Sequence, residues 1–444
     1  MLETQPTPQL NELTLAERLR VFFHRATANN LLASSALFFV STTIVNGGNY
    51  LFNLLLGRWL GPALFADVSI IITLFLLLTF LTTGLQQTAA KFAAVYSAEK
   101  APDRLWALRH WLNRRAWLAG AFCVLILGGG ARFWQDFFHT TSPWLFVIFG
   151  VGLPFYFAQG IDRGILQGQT RFLSLAISYQ AEMWVRLLLG LLLVMLGWAA
   201  YGAVFALTLS IVTTWLVSQQ ALHPLESDST SLKPANLSRF SQAEQKALLA
   251  FAVPVLMSEI SLILINNSDV IIVKHFFTSV AAGQYAALAL IGRIVFFGTW
   301  SVVITMFPLV AQKAHRGEPH HHLLWSGLGM VVGVSTMIVL ATLFFPAFIV
   351  RLLFGAEYVA IAPLLWVYAV ATALFALANV VINYRLALED RVGTVWAFAA
   401  GLLQVGLLLL FHTSLFQVVF IQVILMGLLL LLLLGREGML RTEK

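Results

Sequence analysis

Charge is scarce in this chain of 444 residues: Asp, Glu, Lys and Arg together supply 11% of it, against 59% hydrophobic residues. A soluble domain carries roughly 25% charged residues, so an ordinary water-soluble fold is excluded. Cysteine is nearly absent too. The one cysteine, Cys123, lies in an apolar run, which rules out an intrachain disulfide framework and a thiolate-ligated metal centre. Catalytic signatures are also missing. Gly128, Gly129 and Gly130 are not followed by a GK[ST] step, no HExxH or nucleophile elbow occurs, and no polar segment is long enough for a catalytic domain. The expectation is a protein that is not an enzyme. His320, His321 and His322 are adjacent rather than spaced for tetrahedral ligation, so they read as a solvated loop, and no cofactor is expected.

What the chain has is length in apolar runs. Its mean hydropathy is +0.84, with 35 Phe and 13 Trp. The runs recur at about 20 residues, the length that crosses a bilayer. The fold class is all-α, a polytopic membrane protein. Residues 1–30 are polar and carry Arg18, Arg20 and Arg25, which reads as a cytoplasmic arm. The apolar segment after it is too long for the core of a signal peptide and is expected to remain as the first span. Spans are expected at 31–56, 66–86, 116–134, 144–167, 172–197 and 201–222, forming an N-terminal six-helix bundle, 31–222. A Ser-, Pro- and charge-rich stretch, 223–246, follows as a cytoplasmic linker. Six more spans, at 248–273, 281–310, 323–350, 360–387, 392–412 and 415–434, form a C-terminal bundle, 247–435, before a cytoplasmic tail, 436–444.

The two bundles resemble each other. Arg58 ends the first span before the turn LGPALFA, and Lys274, 216 residues later, ends the seventh before FFTSVAAGQYA. Lys91 and Lys313, 222 apart, end the next span of each half. Six spans separate the copies, so both sit the same way up, as in parallel-repeat transporters. Of the 27 Lys and Arg, 21 fall on alternate loops of one side, 4 on the other, and Arg186 and Arg293 within spans. The positive-inside rule then puts both termini in the cytoplasm. The net charge of +7 is explained by those loops rather than by nucleic-acid binding.

Ionisable groups at membrane depth cost about 2.5–3.5 kcal/mol on insertion scales, so each needs a partner or a task. Arg293 has no acid within a helical turn and is a candidate to face a central cavity and grip a phosphate with its planar fork; snorkelling to the interface is the alternative. Glu182 and Arg186, four apart, read first as an intrahelical pair and second as a gate or ion relay. Asp162 and Arg163 read as a pair near a loop. Glu259, a turn after Pro254, has no nearby cation in sequence. Asn46, Asn49 and Asn53 share one helical face, and Asn266, Asn267 and Asp269 answer them in the second half. These amides suit either interhelical hydrogen bonding or contact with a cargo.

The segments NYLFNLLLGRWLGPALFADVS, GLQQTAAKFAA and SEISLILINNSDVIIVKHFFTSVAAGQYAALALIGRIV resemble those of polysaccharide biosynthesis proteins, the lipid-linked oligosaccharide flippases of the multidrug/oligosaccharidyl-lipid/polysaccharide exporter superfamily. That resemblance implies two bundles in a V that alternate between inward- and outward-facing states in the cytoplasmic membrane. It implies as cargo a glycan on an isoprenoid pyrophosphate, with glycosyltransferases and a polymerase as possible partners beside the membrane lipids. Arg293 and Arg58 then stand where cations hold the headgroup and the asparagines where sugar is touched; a coupled Na+ or H+, if transport is coupled at all, would need a carboxylate, for which Glu259, Asp269 and Glu182 are the candidates. The first span lacks the acid common in the drug-efflux branch, its nearest being Asp67 beyond the turn. A cation-coupled multidrug or metabolite antiporter, and a non-transporting scaffold for glycan-assembly enzymes, are the alternatives.

Overall fold

A computed structural model describes residues 31–229 and 242–442. The expected arm, 1–30, the central part of the linker and the last two residues lie outside the described residues. Those described are helical, without a strand. The N-terminal half consists of α1 (Leu31–Ala98), α2 (Pro102–Val124), α3 (Ala131–Phe138), α4 (Trp144–Gly168), α5 (Phe172–Leu193) and α6 (Ala199–Ser229). The C-terminal half consists of α7 (Gln242–Phe276), α8 (Ser279–Gly292), α9 (Ile294–His315), α10 (His321–Phe344), α11 (Pro346–Leu353), α12 (Leu365–Ala387), α13 (Val392–Leu410) and α14 (Leu415–Thr442). Helix α6 continues to Ser229 and α7 begins at Gln242, so helical structure enters the polar stretch from both sides.

Among the described residues nine helices are long and apolar enough to cross a membrane, or ten if the pair bent by 62° around Gly130 counts as one span. Two of the nine are overlong. Leu37–Ala98 has 62 residues, and at 1.5 Å per residue it would stretch to about 93 Å, three times the hydrocarbon core. It breaks at Gly61, whose φ of 71° and ψ of 170° suit glycine, and at Pro62, which has no N–H to continue the ladder. Phe172–Leu222 has 51 residues and breaks at Gly197, φ 89°. Both breaks fall where the sequence ends a span, at the LGP turn and at Gly197.

The halves meet along a seam between the second leg of α1 and α7. At one end Lys274 Nζ lies 2.7 Å from Asp67 Oδ1. Thr141 gives Asp67 Oδ2 two further bonds, from its N–H at 2.9 Å and its hydroxyl at 2.8 Å. Beside this pair Gly283 packs on the turn so closely that a Cβ there would lie 1.8 Å from the Pro62 carbonyl oxygen. Tyr358 donates to the Gly57 carbonyl at 2.7 Å, and the Phe65, Phe354 and Tyr358 rings form a buried cluster over the joint. Further along the seam Gln87 donates to Glu259 at 3.2 Å, and Lys91 sits 4.0 Å from the Phe251 ring centre. The first leg of α1 behaves differently: away from the joint, Asn46 and Gly47 are exposed, and a Cβ on Gly47 would meet nothing within 4 Å.

Candidate functional site

Among the described residues, the ionisable groups singled out in the sequence fall into buried ion-paired clusters, with Glu259 apart from them. In the C-terminal half α7 carries Asp269, fully buried, onto which Tyr285 of α8 donates at 2.9 Å and Tyr368 of α12 at 2.8 Å. Gln422 of α14 in turn donates to the Tyr285 hydroxyl at 2.9 Å. Arg293, where α8 passes into α9, approaches Asp269 Oδ1 to 3.7 Å and donates to the Asn266 carbonyl. Arg293, which has no acid within a helical turn in sequence, thus finds one in space. Its partner comes from the neighbouring helix, 24 positions earlier, which no helical-turn spacing reveals. A cavity of about 10 Å3 adjoins, bordered by Asn266, Tyr368, Thr372, Gln404 and Gln422, room for about one water molecule.

In the N-terminal half Glu182 faces two guanidinium groups. Its Oε1 lies 2.5 Å from Arg186 Nη2, the expected intrahelical pair, and its Oε2 lies 2.8 Å from Arg163 Nη2. Arg163 is held further by Ser178, through Nε to the hydroxyl and Nη2 to the carbonyl, both at 3.0 Å, and stacks 3.8 Å from the Tyr179 ring centre. Asp162 and Arg163 do not pair with each other. Being adjacent on a helix they point to different faces, and Asp162 instead takes Arg109 Nε at 2.9 Å. Arg109, expected in a cytoplasmic loop, is buried in α2, where it also reaches Gln219 at 2.6 Å.

Another cluster is Asp67 with Lys274, described above, which lie 207 positions apart in the sequence, one in each half. Arg58 is not beside Arg293. It is exposed at the joint and donates to the Leu352 carbonyl of the other half at 3.0 Å. Glu259, the carboxylate apart from these clusters, is half-buried in the seam with Gln87.

The asparagines divide in the same way. Asn53 donates to the Asn49 carbonyl at 2.8 Å, Asn266 to Leu262 at 2.8 Å and Asn267 to Ile263 at 3.3 Å, so all three back-bond within their own helices. Asn49 reaches outward, its Oδ1 accepting from Arg186 Nη1 at 3.3 Å. Asp67, Lys274, Arg163, Tyr285 and Tyr368 complete these clusters without having been singled out in the sequence for them. The internal repeat held a signal for one: it aligns Lys274 with Arg58, and both reach across to the other half.

Long apolar helices in two seamed halves, each with a buried polar cluster, define a multi-pass membrane protein with the fold of the MOP superfamily transporters. A multidrug resistance MATE family transporter of that superfamily, in its inward-facing conformation, superposes with a TM-score of 0.74 at 13% identity, over 88% of this chain and 95% of that one. The lipid II flippase MurJ in an inward closed conformation gives 0.71 at 14% identity, over 91% and 87%. Residues 31–314, more than half of the chain, match the polysaccharide biosynthesis protein family, and the chain belongs to it. A curated relative, the probable multidrug resistance protein YoeA of Bacillus subtilis (strain 168), is 25% identical over 312 residues, which span 64% of this chain and 65% of the relative.

Proposed function

We propose that the protein flips an anionic, isoprenoid-pyrophosphate-linked oligosaccharide across the cytoplasmic membrane by alternating access, in polysaccharide biosynthesis. In this reading the overlong helices each cross twice, giving twelve spans in two six-helix halves, with both termini cytoplasmic. The end of the seam at Asp67 and Lys274 is then the outward face. The observation that carries the reading is the sealing of that end, by a buried ion pair and a backbone contact between the halves, in a chain of this family. Sealing at one end while the Asn46 face stands exposed is what an inward-facing state requires. The cargo class is supported by Glu182 standing against two arginines, a balance that favours an anion over a cation. Glycosyltransferases and a polymerase would supply and consume such a cargo.

A second reading, a multidrug or metabolite antiporter coupled to Na+ or H+, is favoured by Glu259, which has no ion-pair partner among the described residues, and by the name of the Bacillus relative. Proteoliposomes separate the two. The flippase reading expects protein-dependent exposure of a labelled isoprenoid-pyrophosphate saccharide to a membrane-impermeant glycosidase, without gradient-driven movement of a cationic dye. Dye movement without saccharide transfer supports the antiporter.

A further inference from the structure

We infer that α3 and α11 are a matched pair of membrane-interface helices, whose partner is the lipid at the boundary of headgroups and acyl chains on the joint side, and that they brace the joint by crossed backbone contacts. Each has 8 residues, about 12 Å of helix, too short to cross a hydrocarbon core of about 30 Å. Each follows a span, α3 beyond the 62° bend at Gly130 and α11 beyond the break at Phe345 and Pro346.

The two helices carry one pattern at one place in the repeat. Phe348 lies 348 − 133 = 215 positions after Phe133, and Leu352 lies 352 − 137 = 215 after Phe137, against 216 between Arg58 and Lys274. On α3, Phe138 is buried against the protein, Phe133 and Phe137 share one edge, and Arg132 and Asp136 share a second, exposed edge. On α11, Val350 is buried, Phe348 and Leu352 share the matching apolar edge, and the exposed Arg351 lies on the second. Phe133 is 60% exposed and Phe348 63%. Both come soon after exposed apolar residues of the preceding span, Phe122 and Leu125 in one half and Leu340 and Phe344 in the other. Lipid covers such surfaces in a multi-pass protein. A short helix that adds aromatics on one edge and charge on the next lies in the plane of the interface.

The link to the joint is the C-terminal turn of each helix, where carbonyls lack intrahelical donors. At Phe137 the donor is His275 Nδ1, 2.6 Å away, at the end of α7 in the other half. At Leu352, its equivalent, the donor is Arg58 Nη1 at 3.0 Å, from α1 in the other half. Each half therefore caps the short helix of its neighbour. Just past α3, Thr141 holds Asp67, and just past α11, Phe354 enters the aromatic cluster over the joint. Lipid that seats α3 and α11 thus holds the groups that close the joint.

The inference stands whatever the cargo is. The test uses the full chain, Cys123→Ser, in nanodiscs of phosphatidylethanolamine and phosphatidylglycerol, with an environment-sensitive fluorophore on single cysteines. At Phe133→Cys and Phe348→Cys a nitroxide high on the acyl chain should quench more than one at the chain end. At Asp136→Cys and Arg351→Cys aqueous iodide should quench instead. Iodide quenching at either phenylalanine position, or stronger quenching from the chain end, overturns the interface position. Quenching there by neither reagent means that a second copy covers the faces, and overturns lipid as the partner. Bracing is read from thiol labelling of Ser279→Cys, which Phe133→Asp/Phe348→Asp should raise several-fold. If that variant does not fold, Phe133→Ala/Phe348→Ala decides, and unchanged labelling in the folded variant overturns the bracing.

Discussion

Lys274 and Asp67 form an ion pair of 2.7 Å, with side chains 2% and 1% exposed, that joins the two halves of the protein. Its counterpart in the repeat is Arg58, which reaches from the N-terminal half to Leu352 of the other. Each half thus extends the cation at the end of its first span across the same joint. Removing one member of the buried pair leaves the other charge unmatched, at a cost of about 3–5 kcal/mol. Lys274→Ala and Asp67→Ala should each lower the melting temperature of the purified protein. The double substitution Asp67→Asn/Lys274→Met should recover most of the loss, because an uncharged, packed pair carries no such penalty. Thermal melting of the four proteins checks this.

Gly283 and Pro62 make a sharper test of the same joint. A Cβ at residue 283 would lie 1.8 Å from backbone that has no rotamer to yield. Gly283→Ala should therefore disfavour the sealed state rather than unfold either half. Labelling of a cysteine at Ser279, in a Cys123→Ser background, should rise several-fold in that variant. Labelling at the wild-type level would mean that the contact is not part of the seal.

Arg293 is expected to act through Asp269. Arg293→Gln leaves Asp269 buried with two tyrosine donors and no cation, so the C-terminal half should lose about 3–5 kcal/mol of stability. Asp269→Asn/Arg293→Gln should restore stability and, with it, transfer activity. A double variant that is stable but inactive would show instead that Arg293 touches cargo.

Glu259 is the group on which coupling would turn. Glu259→Gln keeps the Gln87 contact and removes the charge. If an ion drives transport there, transfer in this variant should no longer respond to collapse of the proton or sodium gradient, while lipid-linked saccharide still binds. A gradient response equal to wild type assigns coupling elsewhere.

At the turn between α12 and α13, outside the spans, Asp390 is half-buried. Burial works against its charge, but a 2.5 Å bond from Arg436 and the Val392 N–H outweigh it and hold the carboxyl below its usual range. A depressed carboxyl contributes stability above the unfolded value of about 3.9 and loses it as pH falls through the lower folded value. Melting temperature should drop through that acid window in the wild type, and the drop should be smaller in Asp390→Asn.

Hydropathy was enough to read the membrane class, and the span ends at the LGP turn and at Gly197 were legible because Gly61, Pro62 and Gly197 act on the backbone locally. The helix ends at Ser229 and Gln242 were not legible, because a polar stretch can continue a helix that an apolar run begins. At the candidate site the local pair, Glu182 with Arg186, was legible from four-residue spacing. Asp269 with Arg293, Asp162 with Arg109 and Asp67 with Lys274 were not, because each joins different helices and is created by packing. Arg163 stayed hidden for a further reason: its neighbour Asp162 offered an adjacent opposite charge that helix geometry does not allow it to use.

In the proposed cycle the seal at Asp67 and Lys274 opens as lipid-linked saccharide crosses. His139 and Ser279 approach each other across it, the Ser279 hydroxyl lying 3.5 Å from the His139 carbonyl. In a Cys123→Ser background, His139→Cys/Ser279→Cys protein joined by a short, cleavable bis-thiol reagent should lose saccharide transfer in proteoliposomes and regain it on cleavage, with the uncrosslinked protein active throughout. Full transfer by completely crosslinked protein would contradict it.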